Sequence, residues 1–359
     1  MTRFVQFHLL TFYPPANLNR DDTGRPKTAF VGGVERLRVS SQALKRAVRT
    51  SDAFQNALAG HLSKRTQRFG EEIERHLLDG GAAPEKANAI ARKIAEVFGK
   101  VDASADKPAK DNEKAPKLPS ARTAQLAFIG PEERRLAREM AEKKLADEKI
   151  EIKADLILKR ADTAADIAMF GRMLADNPEF NLEAAVQVAH AVTTHKVAVE
   201  DDFYTAVDDL KKPAEDAGAG FMGELGFGSG VFYSYVCVDA VLLKANLGGD
   251  EALAKAAVSA LIKALATVSP TGKQASFASR ARASYILAEK GDQQPRTLAA
   301  AFVKPIKGDD LLASSVDELQ KTREDMNRAY GACADAHAVM NVAARVGSLP
   351  DIQAFATEW

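Results

Sequence analysis

Residues 34–49 read Val-Glu-Arg-Leu-Arg-Val-Ser-Ser-Gln-Ala-Leu-Lys-Arg-Ala-Val-Arg and predict a strand that runs directly into a helix. Apolar and polar side chains alternate over residues 34–39, as they do in a strand with one buried face. Ser40 and Ser41 suit a helix N-cap, because a short side-chain oxygen accepts a hydrogen bond from a free N–H group of the first turn. The fold class that we expect therefore combines strands and helices, α+β.

The predicted helix has a basic face. At about 100° per residue, Leu44 and Val48 lie on one side, and the opposite arc carries Gln42, Lys45, Arg46 and Arg49. A helix N-terminus attracts anions, so Ser40, Ser41 and the first N–H groups could hold a phosphate while the cations contact the next ones. Arg20, Arg25 and Lys27 in the preceding loop could close over the other side. The pattern alone leaves open a merely solvated helix face.

Outward from this segment, the sequence predicts further elements. Aromatic and branched residues over 3–12 indicate a buried strand that stops at Pro14-Pro15. Six glycines between residues 218 and 230 indicate a turn-rich arm rather than part of the core. The remaining expectations are helices over 52–158, interrupted by a flexible connector at 100–120, a strand at 164–173, a helix at 181–192, a strand at 231–238 and a helix at 250–268.

The charge of the chain is balanced in total and segregated in sequence. The 359 residues hold 49 Lys and Arg against 49 Asp and Glu. Residues 16–49 carry eight basic and three acidic side chains, and residues 269–307 carry seven basic and two acidic ones, whereas residues 200–216 carry seven acidic ones and two lysines. Since local potential steers association, such a chain could hold a polyanion on one surface and a basic partner on another.

Composition sets the broad class of the protein. Hydrophobic residues at 46% and charged residues at 27% are typical of globular domains. Two cysteines are too few for a disulfide framework, and no apolar stretch approaches the roughly 18 residues that a membrane span needs. We expect a cytoplasmic protein with no membrane partner.

Enzyme motifs fail on spacing. Gly226, Gly228 and Gly230 precede a strand and lack the gap of a dinucleotide-binding fingerprint, and Thr271-Gly272-Lys273-Gln274 lacks the first glycine and the magnesium-binding hydroxyl of a phosphate-binding loop. His190 and His195 are five residues apart, which argues against zinc, so His8, His190 and His195 are expected in hydrogen-bonded or core positions. Asp21 and Asp22 could hold a metal for phosphodiester cleavage, although turn chemistry is the commoner use of such a pair. We expect no catalytic residue, metal site or cofactor.

Longer motifs resemble a known family, the CasC family, which forms the repeated backbone subunit of the type I-E CRISPR surveillance complex Cascade. The resemblance covers about half of the chain and is most specific in its first two blocks. Its segments are Leu18-Asn19-Arg20-Asp21-Asp22, Gly32-Gly33 and residues 38–47 in the first block, residues 166–168, 171–173, 189–195, 203–210 and 229–233 in the second, and residues 272–274 and 298–302 in a weaker third.

The resemblance implies a right-hand shape, with an RRM-like (ferredoxin-like) palm, helical fingers and a β-hairpin thumb. The expected parts are a first palm segment at 1–50, helical fingers at 51–160 with their flexible loop at 100–120, a second palm segment at 161–195, the thumb hairpin at 196–229, and the last palm segment with a web at 230–359.

The resemblance also implies a function: a non-enzymatic subunit that stacks along CRISPR RNA as a helical filament, kinks it with the thumb and presents it to target DNA in antiviral defence. The partners would be CRISPR RNA, target DNA, further copies of the chain and other Cascade subunits. Phe203-Tyr204 departs from the Trp-Phe expected of the family but keeps an aromatic wedge. A metal-dependent nuclease using Asp21 and Asp22 is the alternative. The implied RNA-binding residues are Arg20, Lys27, Ser40, Ser41, Gln42, Lys45, Arg49, Met173, Tyr204 and Thr205.

Overall fold

A computed structural model describes residues 3–102, 118–160, 163–206 and 221–359. Most of the connector expected at 100–120 lies outside this described part, as do residues 207–220, which include residues 207–216 of the acidic segment. The chain divides into two compact units. Unit 1 comprises Met1–Ala57, Gln187–Ala240 and Val258–Trp359, and unit 2 comprises Leu58–Val186 and Val241–Ala257.

The described strands and helices follow in chain order. The strands are β1 Phe4–Ala16, β2 Thr28–Val31, β3 Val34–Val39, β4 Lys64–Thr66, β5 Ala127–Ile129, β6 Val186–Val188, β7 Ala191–Thr193, β8 Glu200–Ala206, β9 Phe221–Asp239, β10 Tyr285–Gly291 and β11 Ala336–Asn341. The helices are α1 Ser41–Arg49, α2 Asp52–Ala57, α3 Phe69–Asp79, α4 Pro84–Phe98, α5 Pro131–Ala146, α6 Ala154–Ile157, α7 Ala165–Phe170, α8 Ala240–Asn246, α9 Glu251–Thr267, α10 Gln274–Phe277, α11 Leu311–Tyr330 and α12 Leu349–Thr357.

An antiparallel sheet organises unit 1, with the order β11-β10-β1-β9-β7-β3-β2. Leu10 of β1 lies opposite Tyr233 of β9 on one side and Tyr285 of β10 on the other, so all three side chains share one face. On that face they pack with Leu298 and Leu319 into a buried core over which α11 lies. This arrangement places β3, and therefore the start of α1, near one edge of the sheet.

Helices form most of unit 2. The helices expected in this region are confirmed: Phe69, Ile73 and Leu77 recur at i, i+4 and i+8 in α3 and are all buried, and the same spacing buries one face of α4. The rings of Phe69 and Phe98 meet edge to face with centroids 5.2 Å apart. Among the described helices of the whole chain, none combines the length and the apolar character that crossing a membrane requires.

Several sequence predictions are confirmed in detail. The strand at 34–39 is β3, the helix at 250–268 is α9, and the strand at 231–238 is the second half of β9. The strand expected at 3–12 continues to Ala16 through Pro14 and Pro15. It can do so because its pairing with β9 shifts register between Tyr13 and Ala16, which spares the prolines a ladder hydrogen bond.

Two secondary-structure predictions are wrong. The segment at 164–173 contains the helix α7 rather than a strand; residues 165–169 are all buried, so no polar face marks the helical period. The segment at 181–192 contains β6 and the start of β7 rather than a helix. Val192 pairs with Arg38 of β3 and with Tyr233 of β9, so sheet pairing overrides the helical pattern of this alanine-containing run.

Candidate functional site

The N-terminus of α1 is capped within the protein. The Ser40 hydroxyl accepts from the Ala43 N–H at 3.3 Å, as the sequence predicted. The Ser41 N–H donates to Nδ1 of His190 at 2.9 Å. Because these two N–H groups already have acceptors, the expectation that the first turn offers its N–H groups freely to a phosphate is wrong for them. An anion here would instead meet the Ser41 hydroxyl and the exposed side chain of Gln42.

The loop before β2 closes beside this helix start. The carbonyl of Asn19 accepts from the Lys27 N–H at 2.8 Å, and the Asn19 side chain accepts from the Ser40 N–H at 2.9 Å. Arg20 and Pro26 form an isolated antiparallel bridge that closes the loop between them. Asn19 therefore ties the backbone of Lys27 and the N-cap of α1 together, and the structure brings these sequence-predicted residues into one neighbourhood.

The basic face of α1 lies opposite its packed face. Ala47 and Val48 are buried, whereas Gln42 and Arg46 are exposed, and Lys45 and Arg49 are partly covered. Burial lowers the pKa of the Lys45 amine from its ordinary value. The helix thus places Gln42, Lys45 and Arg49 along its accessible side, on the arc predicted from about 100° of rotation per residue.

Asp21 has a structural task in the loop. One of its carboxylate oxygens accepts from the Thr23 hydroxyl at 2.8 Å, from the Thr23 N–H at 2.9 Å and from the Arg25 N–H at 3.0 Å. The hydrogen bond from the Thr23 hydroxyl, with those from the backbone, lowers the pKa of Asp21. Within the described part of the chain, no cluster of three or more His, Cys, Asp or Glu side chains could hold a metal ion. The contacts of Asp21 are those of turn chemistry.

Strands β8 and β9 form a hairpin arm that carries the expected thumb residues. Tyr204 lies opposite Gly223, and Thr205 lies opposite Met222. The Tyr204 ring covers Gly223 so closely that a Cβ there would lie 2.5 Å from Tyr204 Cζ. Since neighbouring side chains of a strand point to opposite faces, Tyr204 and Thr205 lie on different sides of the arm and do not flank one point together.

Two apolar side chains of this arm are exposed, Phe203 of the expected aromatic wedge and Met222, which the sequence did not single out. Phe203 is 65% exposed and Met222 is 64% exposed, and both share the face of Thr205. Because side chains alternate along a strand, Phe203 points to the opposite face of the arm from Tyr204. The arm therefore presents aromatic surface on both faces.

Met173 belongs to unit 2. Its side chain is 79% exposed and lies at a cavity of about 170 Å³ that Phe98 and Leu126 also line. The neighbouring Arg172 anchors this position, because its guanidinium forms a buried ion pair with Glu133 at 2.5 Å. Within unit 2, a fixed backbone thus presents an accessible thioether.

The three histidines have the hydrogen-bonded roles that the sequence predicted. Nε2 of His195 accepts from the Val231 N–H at 3.1 Å, while its Nδ1 donates to the Lys196 carbonyl at 3.0 Å. Burial lowers the pKa of His195. His8 is fully buried, with Nδ1 2.9 Å from the Tyr233 hydroxyl, and Nδ1 of His190 accepts from the Ser41 N–H of α1.

A family model and solved structures both match this chain. The sequence model of the CT1975-like protein family matches residues 5–356. A solved chain titled as part of a CRISPR RNA-guided surveillance complex, pre-nicking, is 30% identical with a TM-score of 0.81, over 98% of this chain and 99% of that one. A second, from a CRISPR RNA-guided surveillance complex, is 24% identical with a TM-score of 0.71, over 99% of this chain and 100% of that one, and shows the fold. No curated protein sequence matches this chain.

Proposed function

Because the chain belongs to the CT1975-like protein family, we propose that it is the guide-RNA-binding backbone subunit of a CRISPR surveillance complex, of type I-E. The recognition of a CRISPR backbone family from the sequence motifs is confirmed, whereas the type I-E class stays a prediction. The observation that carries the proposal is the closed loop at Arg20 and Lys27, tied by Asn19 to the basic helix α1.

The chemistry of this neighbourhood suits a nucleic-acid backbone. Cationic side chains neutralise phosphates without reading sequence, and short hydroxyl and amide side chains fix the register of the strand. In this proposal Arg20, Lys27, Lys45 and Arg49 contact guide phosphates, and Ser41 and Gln42 line the path between them. Ser40 is buried and occupied as the cap, so it acts by holding the helix start in place.

Aromatic and thioether side chains would set the position and stacking of the bases. Tyr204 on one face of the hairpin arm would wedge against a displaced base, Thr205 would face the neighbouring nucleotide from the other side, and Met173 would press on the stacked bases. The antiparallel sheet would then serve as an RRM-like palm, the helices of unit 2 as fingers and the β8–β9 arm as the thumb.

Assembly would follow from repetition. Copies that contact each other head to tail without closing would generate a helical filament along the RNA, which other Cascade subunits would join. Exposed guide bases could then pair with target DNA, and pairing rather than protein contacts would supply the sequence specificity.

The test of the proposal is RNA loading by a charge-reversed helix. We expect Lys45→Glu with Arg49→Glu to reduce copurifying guide RNA by about tenfold or more, because two of the cations proposed to contact guide phosphates become anions. Lys321→Glu with Arg328→Glu on α11 is the matched control, since it makes the same charge change on another exposed helix of unit 1. The measurement is the length and amount of nuclease-protected RNA bound per chain. Equal loading by both variants would contradict the assignment of α1.

We propose that the subunit binds RNA without cutting it. Asp21 supports this view, since its carboxylate receives three hydrogen bonds from its own loop. Incubation of the loaded complex with RNA or DNA and Mg²⁺ should leave both intact. Cleavage that Asp21→Ala or Asp22→Ala abolishes would instead establish the nuclease alternative.

A further inference from the structure

The basic loop before β2 and strand β8 of the hairpin arm meet within the same chain. Arg25 Nη1 lies 2.8 Å from one carboxylate oxygen of Asp201, and Arg25 Nη2 lies 3.2 Å from the other. Both side chains remain partly exposed, at 46% for Arg25 and 37% for Asp201. The two-pronged geometry is the one by which a guanidinium also binds a phosphate. Asp201 therefore occupies the group that a phosphate would use.

The backbone on both sides of this ion pair is fixed. The side chain of Asn17 is fully buried and donates to the carbonyls of Gly24 and Gly226, each at 2.9 Å. Gly226 lies so close to Pro26 that a Cβ there would meet Pro26 Cδ at 3.1 Å. The base of the hairpin and the loop thus hold each other in place, and only the ends of the Arg25 and Asp201 side chains need to move for the pair to separate.

The neighbouring loop cations are not held in this way. Among the described residues, no carboxylate lies within ion-pairing distance of the Arg20 or Lys27 side chains, whereas Arg25 has Asp201. Surface ion pairs contribute little to stability, so a polyanion that binds the loop and α1 together can take over the guanidinium. RNA that reaches only one or two cations would not gain enough to do so.

We infer that Asp201 is an intramolecular phosphate mimic that holds Arg25 in reserve, and that guide RNA displaces it to recruit Arg25 as an additional phosphate contact. This inference rests on the proposed RNA-binding function and adds a residue to it. Asp201 thereby weakens the binding of short or misplaced RNA and leaves the fully engaged strand with one more cation.

The experiment measures affinity and its salt dependence on the full chain. Fluorescence anisotropy with a labelled single-stranded RNA of guide length, at several salt concentrations, compares wild type, Asp201→Asn, Arg25→Gln and the double variant. Asp202→Asn is the matched control, because it removes the same charge from the next position of β8, on the opposite face of the strand.

Asp201→Asn should tighten RNA binding about three- to tenfold beyond the effect of Asp202→Asn. Against a short RNA that covers only the loop, it should steepen the salt slope by about 0.7, the increment of one added phosphate contact on a single strand. The double variant should bind as Arg25→Gln does, because the gain passes through Arg25.

Equal effects of Asp201→Asn and Asp202→Asn on RNA affinity, or a gain in affinity that persists without Arg25, would overturn the inference. The proposed function would still stand in that case if the wild type binds RNA. A wild-type chain that binds no RNA would overturn both.

Discussion

At the scale of single residues, close packing explains glycines that the sequence indicated as turn formers. Gly226, Gly228 and Gly230 lie inside β9, and none of them has a positive φ. A Cβ on Gly228 would lie 2.8 Å from Leu37 Cδ1, and a Cβ on Gly230 would lie 2.8 Å from His195 Nε2. The expected turn-rich arm at these positions is therefore wrong, because the glycines make room for neighbouring side chains rather than bending the chain.

Burial of His195 and His8 predicts that unit 1 loses stability on acidification. Burial lowers the pKa of both rings, so the folded chain binds fewer protons than the unfolded chain, whose histidines titrate near 6.5. Stability present above pH 6.5 is lost as the pH falls through that value toward the lower folded-state pKa. The slope is at most about 1.4 kcal/mol per pH unit for each excess proton.

Urea unfolding between pH 7.5 and 5.5, followed by the fluorescence of the single tryptophan Trp359 in unit 1, measures this loss. His195→Gln keeps an oxygen that can accept from the Val231 N–H and should make the dependence on pH shallower. An unchanged slope in this variant would show that His195 does not carry the effect.

At the scale of elements, the alternation of side chains along β8 gives the two faces of the hairpin arm different surfaces. Tyr204 covers Gly223 on one face, whereas Phe203 and Met222 are exposed on the other. Resemblance and position could assign Tyr204 and Thr205 to the arm. The pairing register was needed to show that they point in opposite directions.

Tyr204→Ser should change the exposure of guide bases more than it changes affinity. The ring would act by stacking or wedging at one base, whereas the cations of the loop and of α1 supply most of the salt-dependent binding. We expect the dissociation constant to rise by less than about tenfold, with a clear change in chemical reactivity of one base per repeat. Phe203→Ser is the control on the opposite face, and the same reactivity change in it would contradict the assignment of Tyr204.

At the scale of the whole molecule, a formal net charge of zero conceals opposed surfaces. Residues 16–49 are basic and residues 200–216 are acidic, and they meet directly at Arg25 and Asp201. The neutral total therefore does not argue against a polyanionic partner, because the basic residues are concentrated in a segment of their own. Of these, Arg25 is paired with Asp201 of the same chain. Association with RNA would redistribute these contacts rather than simply add new ones.

Local pattern was sufficient for part of this architecture. Alternation over 34–39, the serine N-cap and the two-sided helix 41–49 determine β3 and α1, and the spacing of apolar residues determines α3, α4 and α9, because each of these signals depends on neighbours within a few residues. The long motifs likewise determine the family. Sequence alone thus identified the proposed phosphate-binding residues of the loop and of α1.

Only the tertiary structure decided the rest. Strand β7 exists because β3 and β9 pair with it, and β6 because β9 pairs with it. The glycines of β9 are needed because distant side chains pack on them. The ion pair of Arg25 with Asp201 forms because Asn17 joins segments about two hundred residues apart. These contacts join positions far apart in the chain, and no local periodicity records which distant partner a residue will meet. The sequence therefore determined which residues are suited to bind a polyanion, and the fold decided which of them are already occupied.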